Sequence, residues 1–195
     1  MLSGKIMVAG AFFLLIFLSA TLNITATSLF LLSTEELTEK SDVILTGRVI
    51  SQHCQWNDER NQIYTYISIR ADTLLKNGKQ VENDIIVIKQ LGGIMDSLQL
   101  FIPGMPSFDV GEEVLLFLTD RETDPVSGRP LNYLVYGLAQ GKFSVIFDPV
   151  SGQRILRNAL SSLLFETEEK IPKATAGKAQ SLDEFVEEIT VNLKK

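Results

Sequence analysis

Ile63-Tyr64-Thr65-Tyr66-Ile67-Ser68-Ile69-Arg70-Ala71-Asp72-Thr73-Leu74-Leu75 is the stretch that decides the fold class. Ile63, Thr65, Ile67, Ile69, Ala71 and Thr73 share one face, while Tyr64, Tyr66, Ser68, Arg70 and Asp72 share the other. A period of two places one side of a strand on a core and the other toward solvent. Upstream, Val43 to Gln52 alternates in the same way, with Val43, Leu45 and Val49 on one side. The polar run Asn57-Asp58-Glu59-Arg60-Asn61 separates the two, so they form a long hairpin. Lys76-Asn77-Gly78-Lys79 signals the next turn. Further strands are expected over 84–90, 98–102, 113–119, 132–138, 142–147 and 154–158.

Two helices flank this β-rich region. Ser33-Thr34-Glu35-Glu36 is a capping box with Leu32 and Leu37 at the staple positions, so a helix should run from Thr34 to Lys40. Residues 166–180 mix acids and lysines with few apolar side chains and read as a linker. A second capping box, Ser181-Leu182-Asp183-Glu184, opens a helix over 181–193. Its apolar stripe is Leu182, Phe185, Val186, Ile189 and Leu193. A helix that short is marginal alone and should dock on the barrel or on a partner. About eight closely spaced strands without alternating helices indicate an all-β fold. The long first hairpin points to a small OB-like β-barrel, here with a short N-terminal helix and a C-terminal amphipathic helix. The barrel domain is expected over 33–160.

Composition narrows the function. The 195 residues are 45% hydrophobic and 22% charged, which excludes wholesale disorder. A net charge of −6, with no basic cluster interleaved with aromatics, argues against nucleic acid as a partner. Ile6 to Ala20 is an uncharged apolar run behind Lys5, too short for a full span and suited to a signal peptide. Residues 1–26 are therefore read as a cleaved signal, with an uncleaved anchor as the alternative. The chain is expected to work in the periplasm or outside the cell, touching a membrane only through that segment if it is retained.

Chemistry is hard to find. Cys54 is the only cysteine and His53 the only histidine; as strand neighbours they point to opposite faces. No metal or cofactor site is expected, because a structural zinc centre takes four N or S ligands. Serine-hydrolase chemistry lacks its Gly-x-Ser-x-Gly elbow. The adjacent acids Asp58–Glu59 and Glu112–Glu113 read as solvated turns. Asp-Pro-Val-Ser-Gly occurs at 124–128 and again at 148–152, which turn chemistry explains without a duplicated functional loop.

The unusual stretch is 90–112. Gly92-Gly93 precedes an apolar segment in which Pro103 and Pro106 stiffen a chain carrying Ile102, Met105 and Phe108. A rigid apolar loop loses little entropy on binding, and it can equally plug an open barrel end. Trp56, Tyr64 and Tyr66 form a second candidate, an aromatic strip on the outer face of the hairpin.

Three segments carry a resemblance: 41–49 (SDVILTGRV), 111–118 (GEEVLLFL) and 137–143 (GLAQGKF), together with Gln90-Leu91-Gly92-Gly93. They resemble uncharacterised exported bacterial domains of this length. The first two are also loosely similar to the barrel of tissue inhibitors of metalloproteinases and netrin-like modules. That resemblance implies an OB-like barrel. It does not carry the inhibitors' mechanism, in which an N-terminal cysteine chelates the protease zinc, because no cysteine lies near that end here. The expected function is a non-enzymatic exported module recognising a protein or peptide. A membrane-anchored structural envelope protein and an enzyme with an unrecognised site are the alternatives.

Overall fold

Strand pairing closes the barrel. In the computed structural model, which describes residues 31–77, 84–127, 130–160 and 180–195, β1 (Val43–Trp56) pairs antiparallel with β2 (Ile63–Asn77), and β2 with β3 (Ile85–Leu91). A single parallel bridge, Ile88 to Tyr133, joins β3 to β7 (Pro130–Val135). Antiparallel β6 (Glu113–Thr123) then connects β7 back to β1, from Val43 opposite Leu118 to Arg48 opposite Glu113. The result is a closed five-stranded OB-like barrel in the order β1-β2-β3-β7-β6. Residues Leu32–Lys195 are one compact unit.

β6 uses its second edge twice. β7 occupies the C-terminal half, and β8 (Lys142–Asp148) pairs with Val114 to Leu116 of the other half. Between them, Gly137 and Leu138 adopt φ of 69° and 58° and open a 3-10 turn over Leu138–Gly141. This bend ends the expected 132–138 strand at Val135 and turns β8 away from the barrel. There β8 forms a hairpin with β9 (Gln153–Asn158).

Two cores follow. Val114, Leu116 and Leu118 face the barrel interior with Val43, Leu45, Val49, Ile67, Ile69, Ile86 and Ile88. Leu115, Phe117 and Ile44 face outward and are also buried. That continuous apolar run is the mark of a strand covered on both sides. The outer cover is helical. α1 (Thr34–Lys40) starts at the expected capping box, with Ser33 N donating to Glu36 at 2.9 Å and Glu36 N to Ser33 Oγ at 3.2 Å. α2 (Leu182–Asn192) buries Leu182, Phe185 and Ile189, while Leu193 stays exposed. Phe117, Phe143 and Phe185 meet at centroid distances of 4.9–6.2 Å. Gln180, expected in the linker, instead accepts from Leu156 N at 2.9 Å and seats the start of α2 on β9. Only the Ser181 half of the second capping box forms. Residues 1–26 and 166–179 lie outside the described residues.

Gly47 sits where β1 crosses β2 at a register shift; a Cβ there would collide with the Arg70 carbonyl. The expected 98–102 strand is shorter and separate. β5 (Leu98–Leu100) pairs only with β4 (Gly93–Met95), a strand missed in the sequence, making a two-stranded flap outside the barrel.

Candidate functional site

The flap hangs on the glycine pair. Gly92 and Gly93 take φ of 104° and 140°, conformations that side chains disfavour. A Cβ on Gly93 would come within 2.6 Å of Thr65 Oγ1 and 2.7 Å of Cys54 Sγ. These glycines bend the chain out of β3 while packing β4 against the top of the first hairpin. Thr65 donates to Gly92 O at 2.7 Å and Cys54 Sγ lies 3.4 Å from Thr65 Oγ1, which fixes the joint.

Between flap and following loop lies an open groove of about 190 Å³. Gly92, Gly93, Ile102 and Met105 all line it, joined by Ile94 and Phe101. Ile94 is 62%, Leu98 57% and Phe101 69% exposed. Ile94 and Phe101 thus border the groove as large apolar side chains without cover among the described residues. The groove is smaller than the few hundred Å³ usual for a drug-sized ligand and suits a single side chain.

Phe108 parts from its neighbours. It is 5% exposed and belongs to the barrel core. The segment is therefore divided: Phe108 plugs the barrel, while Ile102 and Met105 line the groove. Glu112 holds the plug. Its Oε1 accepts from Lys142 Nζ at 2.7 Å and Ser144 Oγ at 2.5 Å, and Lys142 Nζ lies 4.9 Å from the Phe108 ring centre. The reading of Glu112 and Glu113 as solvated turn acids is corrected here. Glu112 pairs with buried Lys142, and Glu113 bridges Arg48 at 3.6 Å and Arg154 at 3.0 Å. Successive residues at the start of β6 point to opposite faces, which adjacency in sequence concealed.

The aromatic strip is also rearranged. Trp56 pairs with Ile63, so it lies on the face opposite Tyr64 and Tyr66. Its place beside Tyr66 is taken by His53, stacked at 5.3 Å with ring planes 10° apart. Lys89 Nζ sits 4.8 Å from the Tyr64 ring and 5.7 Å from that of Tyr66. The same ammonium bonds Glu122 at 2.5 Å, and Asn132 Nδ2 donates to the other Glu122 oxygen at 2.9 Å. Lys89, then Asn132, hold the Glu122 carboxyl below the usual carboxylate range, and Glu122 raises Lys89 above the usual lysine value. No signal in the sequence marked Arg121, because strand β6 reaches this face only after a register shift between Asp120 and Glu122.

The twin turns are chemically alike and far apart. Asp124 accepts from Val126 N and Ser127 N, and Asp148 accepts from Val150 N and Ser151 N. These bonds lower both carboxyls, with the Ser127 amide leading at Asp124 and the Ser151 hydroxyl at Asp148. One turn follows the C-terminal end of β6; the other lies past its N-terminal end, beyond the Val114–Ser144 pair. Among the described residues, no three His, Cys, Asp or Glu side chains are placed to share a metal ion, and no helix is long and apolar enough to cross a membrane. No protein-family model matches this sequence, and no curated protein matches it significantly.

Proposed function

We propose that this chain is an exported, non-enzymatic binding module that recognises a protein or peptide through the flap and its groove. The observation that carries this reading is the exposure of Ile94 and Phe101 at the groove, with Leu98 exposed on the other face of a two-stranded flap whose glycine joint is firmly packed. Exposed apolar side chains on a rigid support gain free energy when a partner covers them, at about 25 cal/mol per Å² buried. A single side chain entering the groove beside Ile102 and Met105 would anchor the contact, as buried aromatics anchor protein interfaces. Export rests on the apolar run behind Lys5. The likeness to tissue inhibitors of metalloproteinases and netrin-like modules is proposed as kinship of the barrel, with recognition moved from the N-terminus to the flap.

The test places a photo-crosslinking residue at position 98 of the full chain in its native envelope. Crosslinks to one partner, lost in Phe101→Asp and Ile94→Asp, are expected. Unchanged capture by both variants would overturn the reading.

A further inference from the structure

The outer face running from β1 through β2 and β3 to β6 carries charged groups that the flap does not use. Lys76, Lys89, Arg121 and Lys142 are the cations that are not fully exposed among the described residues. Lys76 bonds the carbonyls of Thr38 and Glu39, Lys89 bonds Glu122, and Lys142 bonds Glu112. Arg121 differs. Its guanidinium carbon lies 5.5 Å from the Tyr64 ring centre, and no carboxylate or carbonyl of the described residues accepts from it. The guanidinium is only partly buried, so its donors reach solvent, and a carboxylate arriving there would exchange water for charge-assisted hydrogen bonds. Contact with the ring face holds the guanidinium in place, and its donor fork suits a carboxylate.

The geometry points to an anion subsite at Arg121, by which this face binds a carboxylate of an acidic partner peptide. One carboxylate fits better than a polyanion. Lys89 is already neutralised by Glu122, the chain carries −6 overall, and the Arg121 charge does not sit in a row that could follow spaced phosphates. The subsite adjoins the groove: Leu91, which lines it, is the cross-strand partner of Tyr64. An extended segment with an acidic residue next to an apolar one reaches both. The apolar half of this inference rests on the flap reading; the carboxylate half does not.

The probes are the peptide acetyl-Leu-Phe-Glu-Leu-amide and its Gln counterpart, titrated into the full chain while the Arg121 Nε–H resonance is followed. The Glu peptide is expected to bind about tenfold more tightly, the size of one charge-assisted hydrogen bond. Arg121→Gln should remove that preference, and Arg121→Lys should retain part of it, with melting temperatures confirming that both variants fold. Equal binding of the two peptides, or a preference that survives Arg121→Gln, overturns the subsite. Tighter binding of a thymidine hexanucleotide at the same resonance would overturn it in favour of a polyanion site. Phe101→Asp separates the two readings: unaltered binding of both peptides defeats the flap alone, whereas loss of the Glu preference in wild type defeats Arg121 alone.

Discussion

On the side of the barrel formed by β1, β6 and β8, Ile44, Leu115 and Phe117 point outward and are fully buried beneath α1 and α2; on the flap, Ile94, Leu98 and Phe101 also point away from the core and are more than half exposed. The residue types are the same in both places. What differs is the cover. The helical side owns its cover within the chain, with Ile189 and Phe185 of α2 packed on Phe117 and Phe143. The flap has none among the described residues. An outward apolar side chain is therefore buried on one flank of this protein and uncovered among the described residues on the other.

Truncation should separate the flanks most sharply. Phe117→Ala removes a ring wedged between Phe143 and Phe185 and is expected to cost about 3–5 kcal/mol in denaturant unfolding, and Phe108→Ala a similar amount, because it empties the plug. Phe101→Ala should change stability by no more than about 0.5 kcal/mol. A Phe101 cost approaching that of Phe117 would mean that the flap is packed and the contrast is false.

The joint comes next in size. Gly93→Ala forces a side chain into a positive φ and into contact with Thr65 Oγ1 and Cys54 Sγ, which should cost about 1–3 kcal/mol. Hydrogen exchange should show the opening confined to 91–102. Faster exchange throughout the barrel instead would show that the flap is an integral part of the fold.

The smallest effect concerns the Lys89–Glu122 pair on the partly exposed face. A depressed Glu122 contributes stability above the unfolded carboxyl value of 4.5 and loses it as pH falls through its folded value. A raised Lys89 contributes fully below 10.5 and loses its share as pH rises through its own folded value. Glu122→Gln should thus destabilise by about 0.5 kcal/mol between those limits, an amount typical of partly exposed pairs, and progressively less in acid. A penalty that persists unchanged at pH 3 would show that packing, rather than charge, sets the role of Glu122.

Alternation over 63–71 and the capping box at Ser33 were legible because each is local, whereas Thr73, expected on the Ile63 face, is turned to the other face by the register shift between Ala71 and Thr73. The apolar stripe of α2 was legible for the same reason, including the need for something to cover it. Of the candidate site, Gly92, Gly93, Ile102 and Met105 were found through unusual composition, and the groove gathers them. Trp56 was assigned to the wrong face, since its face depends on the register shifts along β1 and β2, beginning at Ile44/Leu45, that no pattern of the single strand reveals.

By itself, then, the sequence determined the β-rich class, the position of the first hairpin and the two helices that flank the barrel. The tertiary structure decided which apolar residues are spent inside. Phe108 and Phe101 lie seven positions apart in one proline-stiffened segment, yet one is 5% and the other 69% exposed. It also brought Arg121 onto the Tyr64 ring. Burial and pairing of this kind depend on which strands close the barrel and where the chain leaves it, and those are contacts between residues far apart in sequence.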